Sequence, residues 1–319
     1  MCLIGIGWLH LRLMLIPLMV LSCGAAAFSS VTVTTVDALI ERLRDASVDR
    51  IVVSSGRYTL TTAALNVSRG VTIEAQTPGT VEIDAGTTYT SLRSVMIINP
   101  SNVADSISLI GLNLTGADAA NDGGGVSIRG GSVLLSSCNI YSNTALRGGG
   151  ISIDRWATVT LSRCRIFSNF AQHGGGAMVS GGEATLSDCS IYSNRAFQGQ
   201  GGGVMIQNGS VALSRSTVDS NHADSDGGGI FVDGGDVSMN ECSVRSNVGS
   251  SYGLQVRPSA PPRHASTVCH HGMHQPCALA CASPSASLGL TTPCCHPVTG
   301  PVIGPVIPWL GLTTPCLAP

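Results

Sequence analysis

The sequence predicts an all-β chain whose parallel strands wind into a solenoid, a parallel β-helix, and three observations predict it. Gly-Gly-Gly begins at Gly123, Gly148, Gly174, Gly201 and Gly227, in steps of 25, 26, 27 and 26 residues. A Ser-Asn pair ends at Asn143, Asn169, Asn194, Asn221 and Asn247, and five residues before each Asn stands Cys138, Cys164, Cys189, Ser216 or Cys242. Between these marks apolar residues alternate with polar ones. Marks sharing one period signify stacked repeats, and a period of two signifies strands with one buried face.

The elements follow in chain order. Residues 1–27 read as a secretory signal peptide: His10 and Arg12 precede the apolar run 13–21, and Ala25, Ala26 and Ala27 supply the small residues of a cleavage site. That run is short of the roughly 20 residues of a membrane span. The expected address is therefore secreted or cell surface, with no transmembrane helix after cleavage. The sequons at Asn66, Asn113 and Asn208 suit export and carry glycans in a eukaryotic secretory pathway. Residues 28–50 form an N-terminal cap, in which Val36, Leu39, Ile40 and Leu43 mark one face of a short helix behind Thr35 as its N-cap. The β-helix spans 51–256. Its early, less regular coils carry strands at 51–53, 58–60, 65–67, 71–74, 81–83, 95–98 and 107–114.

Each regular repeat predicts three short strands with corners between them, as in Val126/Ile128, Val133/Leu135 and Cys138/Ile140. An inward residue then meets its own copy in the next coil, about 4.8 Å away. Stacked coils share a core that no single coil can bury. This accounts for a composition of 39 glycines with only 4 % aromatics: aliphatic columns replace large rings, and glycines allow corners of positive φ. The Asn column predicts an amide ladder. The cysteines predict buried, unpaired packing residues, because a coil step keeps Cβ atoms farther apart than the roughly 3.8 Å typical of a disulfide; Cys242 also falls next to Ser216.

Residues 257–319 break the pattern, holding five of the eight histidines and most of the prolines, and predict a low-complexity, disordered Pro/Cys/His-rich tail. Their Cys and His spacings match no zinc module.

The Gly-Gly-Gly-Ile-x-Ile and Cys-x-Ile-x-Ser-Asn elements resemble the right-handed parallel β-helix of the pectin-lyase-like superfamily. More narrowly, Gly175-Gly176-Ala177-Met178 and Phe167-Ser168-Asn169 resemble the GGA(I/L/V) and FxxN repeats of polymorphic outer-membrane proteins. The likeness is good over 121–247 and loose over 35–120. It implies a right-handed helix and a role either as a surface adhesin or as an enzyme on acidic polysaccharides. The motifs carry no catalytic residues. The chain has no lysine, 151–156 has the wrong order for a lyase strand, and Arg257 and Arg263 lack the spacing of a lyase arginine motif.

Function therefore points to the loops between each Asn and the next glycine triplet, since loops on a rigid scaffold carry function. They hold Arg147, His173, Arg195, Gln198, Gln200, His222, Asp224 and Asp226. Arg147, Arg195 and the histidines would meet an acidic glycan, and Asp224 and Asp226, with Asp122 at the equivalent corner, offer oxygen ligands for calcium. The plainer reading is that these are solvated turn residues. A net charge of −2 excludes a basic nucleic-acid-binding stripe. The expectation is an exported, non-enzymatic β-helix protein that binds a polysaccharide or another surface at the cell exterior. The alternative is a diverged polysaccharide lyase or glycoside hydrolase. No cofactor is expected beyond calcium.

Overall fold

The computed structural model describes residues 29–87 and 92–250, together with the backbone of Leu254–Arg257 and Ala280–Cys281. The chain divides into a unit of residues 1–286 and one of residues 287–319, and every described residue lies in the first. The expected signal peptide lies outside the described residues, as does the expected tail apart from Arg257 and Ala280–Cys281.

The fold opens with strand Ser30–Val33, which pairs in parallel with Arg50–Val53, and a single helix among the described residues, α1 (Val36–Arg44), lies between them. Thr35 caps α1: its Oγ1 accepts a hydrogen bond from the Ala38 amide at 3.2 Å. Leu39 and Leu43 are buried, so the apolar face of α1 closes the first coils. Leading into the helix, Ser30–Val33 is a strand in which Val31 and Val33 alternate with Ser30 and Thr32, so the cap expected over 28–50 holds a strand as well as a helix.

Beyond this cap, parallel strands stack into a β-solenoid of about 7 turns. One turn shows the plan: Val126–Ile128, Gly131–Ser136, Asn139–Tyr141 and Thr144–Arg147. The first two strands join a 16-stranded sheet, the third an eight-stranded sheet and the fourth a five-stranded sheet. The three strands expected per turn are thus four. The fourth escaped the alternation because only one of its residues is inward: Ala145, Ala171, Ala196 and Ala223 are buried in successive turns, and their neighbours vary. The single strand expected over 107–114 is also two, Ser106–Ile110 and Leu112–Thr115, split at Gly111 with φ 69° and placed in different sheets.

Register is what the repeat dictates. Val133 pairs with Ile107 and Val159, and Ile140 with Leu114 and Ile166, so like packs on like along the core. The break in alternation before each Cys, and before Ser216, is a residue of left-handed conformation: Ser137, Arg163, Asp188, Arg215 and Glu241 have φ of 54°, 53°, 55°, 46° and 54°. That turn flips the side-chain phase by one position and directs the chain into the next sheet. At the glycine corner the constraint is steric: a Cβ on Gly149 would stand 2.5 Å from the carbonyl oxygens of Phe170 and Gly175.

The Asn column forms the expected ladder. In Asn143, Asn169, Asn194 and Asn221 the Nδ2 donates to the Oδ1 of the next Asn and to a carbonyl of the preceding turn; for Asn169 these are Asn194 Oδ1 at 3.0 Å and Ile140 O at 2.9 Å. Each Oδ1 also accepts the backbone amide of the Asn before it, and at the head of the ladder the amide of Ala117 takes that place on Asn143. Among the described cysteines Cys138, Cys164 and Cys189 are free and buried, and Cys242 is free and half-exposed. The neighbouring thiol of Cys138, and then burial, push Cys164 up to about 12. The outward ring column Tyr141, Phe167 and Tyr192 stacks at 5.0 Å with interplanar angles of 8° and 3°.

Candidate functional site

In five successive turns the fourth strand and the loop that follows it form a lip, and the residues singled out from sequence lie along it. Register sorts them into groups. Arg147 is a Cα partner of Asp122 on one side and His173 on the other. Arg195 lies between Phe170 and His222. Asp224 and Asp226 follow the last of these strands, in the turn before Gly227.

In the first group Arg147 grips Asp122 through two bonds, Nε to Oδ1 and Nη2 to Oδ2, each 2.7 Å. This bidentate geometry is the strong form of an ion pair, and it holds the guanidinium above its ordinary range. Beside it lies Asp154, at the end of strand Ile151–Asp154, half-buried; burial and then the Asp122 charge push its carboxyl up. His173 is pushed down by burial and then by Arg147, and its Nδ1 accepts the Gln200 amide at 3.4 Å. A depressed His beside a cation is neutral at pH 7.

The second group brings three of the expected residues into contact. Arg195 Nη2 lies 3.1 Å from Asp224 Oδ1, and His222 Nε2 lies 3.3 Å from the same oxygen. The Gln198 amide donates to Asp224 Oδ2 at 3.2 Å, and this bond, followed by Arg195, holds the Asp224 carboxyl below the usual range. Gln198 has φ 60°, so Asp224 pins a strained loop in the neighbouring turn. Asp226 accepts a hydrogen bond from Ser250 Oγ at 3.0 Å. Asp122 and Asp226 occupy like corners four turns apart, about 19 Å at the coil spacing, and so share no ion. Among the described residues no group of three or more His, Cys, Asp or Glu side chains could hold a metal.

What the sequence reading missed is apolar. Phe170 and Phe197 on the outer face of the lip are 37 % and 40 % exposed, with rings 5.7 Å apart, and the Arg195 guanidinium lies 5.9 Å from the Phe197 ring centre. Leu146, one turn earlier, is 44 % exposed. The signal lay in the Asn-x-Ala that recurs at Asn143, Asn169, Asn194 and Asn221, which marks a strand and so places the flanking residues outward.

Of the sequon residues, Asn66 and Asn208 are exposed. Asn113 is partly buried in a side-chain ladder: its Nδ2 donates to Gly79 O at 2.8 Å and its Oδ1 accepts from Asn139 Nδ2 at 2.8 Å. Among the described residues no helix is long and apolar enough to cross a membrane.

Asp122 is paired with Arg147, and Asp224 with Arg195. A search of curated proteins gives no match. A family model described as the right handed beta helix region matches residues 95–268, more than half of the chain. The pectin-lyase-like superfamily is consistent with that match, and the repeat, the parallel register and the family model agree: this chain belongs to the right-handed β-helix family.

Proposed function

We propose that the chain is an exported, non-enzymatic β-helix protein that binds a glycan along the lip at the cell exterior. The observation that carries this reading is the outer face of the fourth strands, where exposed Phe170 and Phe197 share one surface with Arg195, His222 and Asp224. Residues placed by register at successive coil steps suit an extended polymer, whose units also repeat. Contiguous exposed apolar surface rimmed by polar groups marks interaction sites.

The test is to incubate the full chain with neutral and acidic polysaccharides, with and without calcium, following binding and the release of unsaturated or reducing ends together. Binding without product formation is expected. Product formation abolished by Asp154→Ala or Asp224→Ala would overturn the reading in favour of a lyase or hydrolase. Fractionation of the producing cells tests export separately, and retention in the cytoplasm would refute it.

A further inference from the structure

We infer that a pyranose ring stacks on Trp156, and that the glycan it belongs to runs along the neighbouring column Asp154, Ser180, Gln207 and Asp233. This rests on the glycan-binding reading above and gives it a subsite beside the lip. Trp156 is 70 % exposed, the highest value among the exposed large apolar side chains described. Its position explains why. In the outward column Tyr141, Phe167 and Tyr192, each ring is covered by the ring one turn on, 5.0 Å away. At the corner that carries Trp156, the turn before has Gly130-Gly131 and the turn after has Gly181-Gly182. Glycine brings no side chain to cover the indole, so the place that a neighbouring ring would take is left to a ligand. The electron-rich face of an indole matches the C–H face of a pyranose, whose hydrogens carry partial positive charge.

The row beside Trp156 is made for hydroxyls. Asp154, Ser180, Gln207 and Asp233 are Cα partners in successive turns, so they stand one coil step apart, about 4.8 Å. All four are half-buried, and the residues before them, Ile153, Val179, Ile206 and Val232, are buried in the core, which directs the four outward. Earlier in these strands Met178, Met205 and Phe231 are outward by phase yet buried. The first glycine of each triplet lies against them: a Cβ on Gly201 would stand 2.7 Å from the Met205 Cβ, and one on Gly227 2.7 Å from the Phe231 Cβ. The end of the lip is therefore a ledge along one side of the row, and Trp156 stands at the corner on the other. Two carboxyls, an amide and a hydroxyl accept and donate as sugar hydroxyls require. A peptide suits the row less well. The strands that carry it are paired on both edges, so an extended chain cannot add to the sheet through main-chain bonds.

The experiment is calorimetric titration of the full chain with cellohexaose, xylohexaose and mannohexaose, and with hexagalacturonate, each at low and high sodium chloride. Binding of at least one neutral oligosaccharide is expected. Trp156→Ala should weaken it roughly tenfold, the size of one aromatic stacking contact, and Trp156→Phe, which keeps a ring, should recover part of the loss. Gln207→Ala should weaken it several-fold, as the loss of one neutral hydrogen bond does. Both side chains lie at the surface, so circular dichroism should show each variant folded. Unchanged affinity in a folded Trp156→Ala would overturn this subsite and leave the glycan reading standing. Binding of hexagalacturonate alone, lost at high salt, would rest recognition on charge and overturn the stacking while leaving that reading in place. No binding by any of the four would overturn both.

Discussion

Replacing Asn194 by alanine tests the ladder at its centre. Asn194 is 1 % exposed. Its Nδ2 donates to Ile166 O and Asn221 Oδ1, both at 2.9 Å, and its Oδ1 accepts from the amide and the Nδ2 of Asn169, both at 3.0 Å. Alanine removes all four bonds. Asn169 Nδ2 keeps its bond to Ile140 O, and Asn221 Oδ1 keeps the backbone amide of residue 194. The Asn169 amide and one Asn169 Nδ2 proton are left without acceptors in a place water does not reach. Each buried group so stranded costs about 1–3 kcal/mol, and the two together give about 2–6 kcal/mol for the substitution. Asn247, at the last rung, is half-exposed, and water can replace what its truncation removes. Asn247→Ala should therefore cost about 1 kcal/mol. Urea unfolding of both variants, followed by far-ultraviolet circular dichroism, reads the difference. If Asn194→Ala is no more destabilising than Asn247→Ala, the ladder is a consequence of stacking and contributes nothing of its own.

Four further outcomes follow from the geometry. Gly149→Ala should prevent folding or disorder its turn, whereas Gly130→Ala, whose added carbon would meet nothing closer than 3.7 Å, should fold as the parent does; solubility and thermal melting distinguish them. Asp154 has a raised folded pKa, so its ionisation opposes folding above that pKa and is without effect below the unfolded value near 3.9. Asp154→Asn should accordingly raise the melting temperature at pH 7, with the gain vanishing as the pH falls below about 4. His173 has a lowered folded pKa, so the folded state should lose stability as pH drops through about 6.5, a slope that His173→Gln should flatten in melts taken across that range. In mass-spectrometric mapping of thiol alkylation, Cys242 should react in the native protein, and Cys138, Cys164 and Cys189 only after denaturation.

The core was legible because each inward position is written several times. One isoleucine says little, but Ile140, Ile166 and Ile191 at one period, continued by Val218, name a column, and the column names the register. The same redundancy revealed the Asn ladder and the unpaired cysteines. Thr35 and the spacing of Leu39 and Leu43 revealed the helix. The fourth strand was hidden because a strand with one inward residue has no alternation to display, only an alanine. The site was hidden for a different reason. Its residues were found, yet their partners stand 25 to 29 positions away and in different phases: Arg147 with Asp122, Arg195 with Asp224. Only the register of the fourth strand says which pairs touch. Arginines that look available in sequence are neutralised in space, and the apolar residues between them become the more informative surface.

The turns do not all have the same length, and the surplus is not spread evenly. From the Cys or Ser just before the third strand to the Asn is always five residues, while from the Asn to the next glycine triplet is five, five, seven and six. The lip absorbs most of the variation because residues there leave the aliphatic columns and need only return at the glycine. Such a fold keeps two ledgers of sequence, one held in step by packing and one open to insertion. New contacts with the outside can be drafted in the second without rewriting the first. A longer lip on any turn would alter what the protein touches while its neighbours stay in register.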